Sequence, residues 1–162
     1  MASVFASLYR LLTDRYARNN LKGMTQIIGY LTFNGNCREA MQFYADCLGG
    51  ELTFQTIGDS PMTENMPWQM KECILQASLT RGILRLLATD CVPDKGLVKG
   101  NSISLALNCS DEQEIRTFYD RLSAGGQPTH PLENTFWGTM FGGLTDKFGI
   151  HWLLNYDKNH KQ

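Results

Sequence analysis

The chain has 162 residues, 43% of them apolar, and a net charge of −1, which suits one ordinary domain or two small halves sharing a core. That balance excludes the disordered class and offers no general attraction to nucleic acid or anionic lipid. No run of 18 apolar residues is present, so no membrane span is expected.

Residues 1–23 read as an amphipathic helical extension. Val4, Phe5, Leu8, Leu11 and Leu12 follow helical spacing, and Arg10, Arg15, Arg18 and Lys22 outnumber Asp14. Such a helix packs on the domain or on a second subunit. An organelle presequence, or an appendage to a domain opening at Met24, are the alternatives.

The first strand follows, and its alternation puts Tyr30, Thr32 and Asn34 on one face and Leu31 and Phe33 on the other. A helix is expected over about 36–48, with Ala40, Met41, Tyr44, Cys47 and Leu48 as its apolar stripe and Gly49-Gly50 as its stop. Strands are expected at 51–57, 71–80 and 83–89, with a loop over 58–69 and a hairpin turn at Arg81-Gly82. The stretch "DCVPDKGLVKGN", residues 90–101, reads as a linker.

Beyond it the pattern returns. "LTFNGNCREAMQFYADCLGG" and "LALNCSDEQEIRTFYDRLSAGG" both run from a strand ending in Asn, through a helix containing Phe-Tyr, to Gly-Gly. Phe43 and Phe118 lie 75 residues apart, and Leu31 and Leu105 lie 74 apart, which indicates a duplication with one inserted residue. The second helix, about 111–124, has Ile115, Phe118, Tyr119 and Leu122 as its stripe, and Ser110 with Gln113 fits a capping box. Strands are expected at 127–134, 137–145 and 150–156, with Asp146 to Gly149 as a type I turn and a polar tail over 158–162. Each half is then βαβββ, an α+β domain over 24–157 with module one at about 27–90 and module two at about 101–156.

Parity names the candidate site. If the helices cover Leu31, Phe33, Leu105 and Leu107, then Tyr30, Thr32 and Asn34, with Ser102, Ser104 and Asn108, face a polar-lined cavity. A solvated sheet face without a ligand is the alternative. Trp137 and Trp152, with Phe136 and Phe141, are candidates for an apolar pocket wall, although alternation lets only some of them share it. His151 stands between apolar neighbours and either faces the cavity as an acid or base or is a hydrogen-bonded strand residue. Cys37 lies in a first helical turn beside Arg38, where its pKa is open to lowering, unless it is buried packing. The five cysteines are scattered and never form C-x-x-C, which points to thiols in a reducing, cytoplasmic setting.

The "FNGNCREAMQFYADCLGGEL" and "TFWGTMFGGLTDKFGIHWLLNY" segments, with the repeated βαβββ units, resemble the PhnB-like branch of the vicinal-oxygen-chelate superfamily of glyoxalases, bleomycin-resistance proteins and extradiol dioxygenases. The resemblance covers residues 27–156 and implies a cupped, eight-stranded mixed sheet. In catalytic members it also implies a divalent metal on the first and last strands of each half. Those places fall here on Ile28 or Gly29, near Ser102, on Thr89 or Asp90, and on Leu153. Asp90 and Gln76 are weak candidates, so no transition-metal cofactor is expected. Branch members also carry a ubiquinone-pathway methyltransferase label, but no glycine-rich strand-to-helix turn supports it. The expectation is therefore a homodimeric protein binding a small organic molecule in the cup, with Gln76, Asp90, Trp137, His151 and Trp152 among the lining candidates and catalytic residues unassigned. A metal-dependent lyase, isomerase or dioxygenase is the alternative, and a purely interacting dimer a third class.

Overall fold

The computed structural model describes residues 25–60, 63, 66–93 and 96–159. The expected N-terminal helix and the last three residues of the tail, His160 included, lie outside them. Module one contains β1 (Gly29–Thr32), α1 (Cys37–Leu48), β2 (Glu51–Thr56), a 3-10 turn (Ile57–Asp59), α2 (Trp68–Lys71), β3 (Ile74–Arg81) and β4 (Leu84–Thr89). Module two contains β5 (Leu105–Asn108), α3 (Glu112–Ser123), β6 (Gln127–Asn134), β7 (Thr139–Thr145) and β8 (His151–Asp157). No helix among the described residues is long and apolar enough to cross a membrane.

The eight strands form two four-stranded sheets with matching orders, β1-β4-β3-β2 and β5-β8-β7-β6. In each, the first strand pairs in parallel with the last, and the other pairings are antiparallel. The edges β1 and β5 approach closely. A Cβ built on Gly29 would lie 3.2 Å from Leu105 Cδ2.

Both helices lie on one face of their sheet because their stripes are apolar and the facing strand residues match. Cys37, Ala40, Met41, Tyr44, Cys47 and Leu48 of α1 are buried, as are Ile115, Phe118, Tyr119 and Leu122 of α3. They share one core with Phe33, Ala77, Leu79, Leu86, Ala88, Leu144, Trp152 and Leu154. Burial on this scale is the main favourable term in folding, at roughly 25 cal/mol per Å² of apolar surface. The core crosses the module boundary through Phe148 of module two, whose ring packs edge-on against Phe33, Phe43 and Tyr44 of module one.

The Gly-Gly pairs have a second role beyond ending helices. A Cβ on Gly50, at φ 111°, would lie 2.6 Å from the Thr80 carbonyl oxygen, and one on Gly126 would collide with the Thr145 carbonyl. Each second glycine lets the chain pass close to β3 or β7.

Two local expectations are corrected. Residues 71–73 end a short helix and a bend and do not begin β3. The cap of α3 sits one residue later than expected: Asp111 accepts the Glu114 N–H at 2.7 Å, while Glu114 accepts from the Ser110 N–H and hydroxyl. An aspartate in β conformation outcompetes the neighbouring serine for that role.

Candidate functional site

Register assigns each strand residue to a face, because cross-strand partners project to the same side. In module one the helix-free face has Tyr30 opposite Leu87 and Thr32 opposite Thr89, with Ser78 opposite both Leu87 and Thr53, and Gln55 opposite Gln76. Tyr30 is 43% exposed, whereas Gln76, Ser78 and Thr89 are 9%, 2% and 4% exposed. The Thr89 hydroxyl is satisfied by the Ile74 and Leu75 carbonyls at 3.2 and 2.9 Å. The Gln76 amide and the Ser78 hydroxyl find no hydrogen-bond partner among the described residues. Their polar atoms are not wholly sealed off, unlike the unpaired Ser60 hydroxyl. A carboxamide presents donors and an acceptor, and a hydroxyl presents one donor and two lone pairs. Both therefore have donors and acceptors to spare on this face.

Module two has a different helix-free face. His151 pairs with Thr145, which pairs with Gln127; Ala106, Leu153, Gly143 and His130 share a second row. Asn108, Asn155, Phe141 and Glu133 form a third. His151 therefore stands on the candidate face, but its Nδ1 is 2.8 Å from the Thr145 hydroxyl, so a hydrogen bond to a neighbour already orients the ring. The His130 ring lies edge-on to Phe141.

The remaining candidates are placed elsewhere. Asn34 is an exposed turn residue after β1, and Ser102 and Ser104 are exposed ahead of β5. Trp137, 61% exposed, sits in the β6–β7 turn and packs edge-on against Phe136 at 4.0 Å between ring centroids. Trp152, expected as a pocket wall, is 2% exposed on the helix side and donates its indole N–H to Asp146 at 2.8 Å. The alternation that puts His151 on the open face sends Trp152 into the core. The Cys37 thiol is pushed up to about 12, first by burial and then by the Asp90 charge, with Arg38 opposing weakly. It is a packing residue.

The metal that the superfamily resemblance implies does not fit these residues. Asp90 spends its Oδ1 on the N–H groups of Gly35 and Cys37, both at 2.9 Å, and its Oδ2 on that of Ile74 at 3.2 Å. It closes the N-terminus of α1 and binds it to the end of β4. Thr89 is bonded to backbone, Gly29 and Leu153 carry no donor, and Ser102 is exposed ahead of β5. Among the described residues no group of three or more His, Cys, Asp or Glu is arranged to hold an ion.

Asp146 opens the expected turn, its carbonyl accepting the Gly149 N–H at 2.9 Å, and its side chain has a further role that its place in the chain does not signal. Its carboxylate is 3% exposed and accepts four hydrogen bonds: Tyr44 Oη and Trp152 Nε1 donate to Oδ2, both at 2.8 Å, and the N–H groups of Phe148 and Ile150 to Oδ1 at 2.9 and 3.0 Å. Tyr44 comes from module one, so the carboxylate ties the modules together. Burial, and then the Asp146 charge, raise the Tyr44 hydroxyl far above its ordinary pKa, which keeps it a donor. On the helix side an open groove of about 660 Å³ runs along α1, bordered by Arg38, Glu39, Phe43, Asp46, Phe54 and Lys147. Its charges are engaged internally: Arg38 stacks on Phe54 at 4.6 Å and Lys147 pairs with Glu39 at 3.4 Å.

A family model described as 3-demethylubiquinone-9 3-methyltransferase matches residues 25–155. Protein PA1353 from Pseudomonas aeruginosa is 38% identical, with a TM-score of 0.73 over 83% of this chain and 98% of that one. The PhnB protein from Bacillus cereus, whose description carries the same methyltransferase name, is 27% identical with a TM-score of 0.64, over 82% and 99%. A member of the glyoxalase/bleomycin resistance protein/dioxygenase superfamily from Sphaerobacter thermophilus shares the fold alone, at 19% identity and a TM-score of 0.52 over 83% and 99%.

Proposed function

The chain belongs to the PhnB-like family whose model is described as 3-demethylubiquinone-9 3-methyltransferase, and from that premise we propose that it binds a small organic molecule in the cup without a catalytic metal. The observation that carries this reading is the pair Gln76 and Ser78, nearly closed off on a helix-free face and engaged by no described partner. A carboxamide and a hydroxyl with unused donors and lone pairs can be engaged by a ligand's own polar groups. Phe141 and Leu153 on the corresponding face of module two supply apolar surface for the rest of such a molecule.

Methyl transfer is not part of this reading. Doubly wound folds hold a nucleotide-like cofactor at a helix N-terminus that welcomes negative charge. Here a carboxylate closes each of the two long helices at that end, Asp90 at α1 and Asp111 with Glu114 at α3. The metal-dependent lyase, isomerase or dioxygenase reading has His151 on the open face in its favour, and it requires an ion held without the inherited ligand places.

The homodimer belongs to the same proposal. Ile27 just ahead of β1, and Val98 and Ile103 ahead of β5, are 104%, 87% and 78% exposed. A second copy is the cover such residues call for.

Native mass spectrometry and elemental analysis of full-length protein purified without chelator test the reading. A bound organic mass lost in Gln76→Leu, with an unchanged melting temperature, is the expected result. Stoichiometric divalent metal that disappears in Gln76→Leu or Asp90→Asn moves the function to the metal-dependent class. Sedimentation of the full chain and of a chain starting at Met24 tests the dimer, which a monomer in both cases refutes.

A further inference from the structure

The β3–β4 ladder does not stop at the last paired strand residues. The Asp90 N–H donates to the Ile74 carbonyl at 2.8 Å, and the Asp90 carboxylate takes the Ile74 N–H, so these two residues oppose each other. One step outward stand Cys73 and Cys91. The Cys73 carbonyl accepts from the Ile57 N–H at 3.0 Å, so its backbone turns towards β2 and away from Cys91. Continued by one residue, that register sets the two opposite each other as a non-hydrogen-bonded antiparallel pair, in which Cα atoms approach to about 4.5 Å and side chains share a face, with the Cys91 N–H turned onto the Thr89 hydroxyl at 3.0 Å. A disulfide needs Cα atoms about 4.4–6.8 Å apart.

Access separates this pair from the other thiols. Cys37, Cys47 and Cys109 are buried, whereas Cys73 and Cys91 are both half-exposed. The Cys73 thiol makes only a weak 3.5 Å contact with the Gln69 carbonyl, which rotation about χ1 releases. Its pKa is raised by burial first, and then by the charges of Asp90 and Cys91.

The geometry points to Cys73 and Cys91 as a redox modification site, a dithiol that a low-molecular-weight disulfide converts into an intramolecular bond. One cysteine thiolate attacks the small disulfide, forming a mixed disulfide and expelling one small thiolate. The second cysteine thiolate attacks the cysteine sulfur of that mixed disulfide and expels the other. The protein loses two electrons and two protons, and the reagent gains them as two free thiols. The raised Cys73 pKa makes the exchange slow at neutral pH and faster in mild alkali. The bond would fasten the end of the 58–72 segment to the start of the connection between modules, close to Gln76 and Thr89.

The test is incubation of the full chain with oxidised glutathione at about pH 8, followed by intact mass and non-reducing peptide mapping. The expected product is two hydrogens lighter, links the peptides containing Cys73 and Cys91, and reverts with dithiothreitol. Cys73→Ser and Cys91→Ser each stop at a glutathione adduct on the remaining cysteine, with unchanged circular dichroism. Should either variant fail to fold, the wild-type peptide map decides alone. Wild-type protein that stops at separate adducts, links a different pair, or stays unmodified at both positions overturns the proposal.

Discussion

On the open face of module one, Thr32 opposes Thr89 and Gln55 opposes Gln76, with Ser78 one row away; on that of module two, Ala106, Leu153, Gly143 and His130 share a row beside Phe141. The strand order is the same, and the helices occupy the same side. What differs is which residues tolerate lacking a helix above them. Module one keeps Gln76, Ser78 and Thr89 nearly closed off there. Module two reduces side-chain bulk there with Gly143 and leaves Ala106 and Asn108 exposed. Duplication thus preserved the framework through the helix-side core and left the open faces free to diverge.

The two key carboxylates differ in the same way. Asp90 serves its own module by closing α1, whereas Asp146 joins both through Tyr44 and Trp152. If that contrast is right, Asp146→Ala has the largest effect of any change considered. It strands four donors in a buried site, and about 3–5 kcal/mol of stability should be lost in urea denaturation. A loss under about 1 kcal/mol would break the contrast.

Gly50→Ala comes next. Its strained φ and the nearby Thr80 carbonyl together predict a loss of about 2–3 kcal/mol, measured in the same way. Asp90→Ala removes acceptors from three N–H groups at a half-exposed position, where water substitutes in part, so about 1–2 kcal/mol is expected. Tyr44→Phe deletes one donor to Asp146 and keeps the ring packing, which predicts about 1 kcal/mol.

The smallest effect concerns acid. Glu114 receives Ser110 and pairs with Arg81 of the other module at 3.0 Å. Burial pushes its carboxyl up, but the Ser110 hydrogen bonds and Arg81 outweigh this and hold it below its ordinary 4.5. A depressed folded pKa adds stability above the unfolded value and loses it as pH falls through the folded one. Glu114→Gln should therefore cost under about 1 kcal/mol at pH 7, given the exposure of Arg81, and nothing once both states are protonated. An equal cost at pH 7 and pH 2 would show that the Arg81 pairing contributes nothing.

The duplication, both long helices and most strand positions were legible in the sequence, because apolar spacing and glycine stops are local properties that packing only had to accept. The parity of the first strand was legible for the same reason: Phe33 is 1% exposed while Tyr30 is open. The alternating "LQASLT" stretch carries the signal for Ser78, on the same face as Gln76. The roles of Asp90, Asp146 and Trp152 emerge only from the folded arrangement. Asp90 and Asp146 depend on partners distant in sequence, Gly35 and Cys37 for the first and Tyr44 for the second, and Trp152 depends on a core shared with α1. A carboxylate in a turn reads as polar and exposed until the fold brings donors to it, since a side chain's solvation is set by what surrounds it in space and not by its neighbours in the chain.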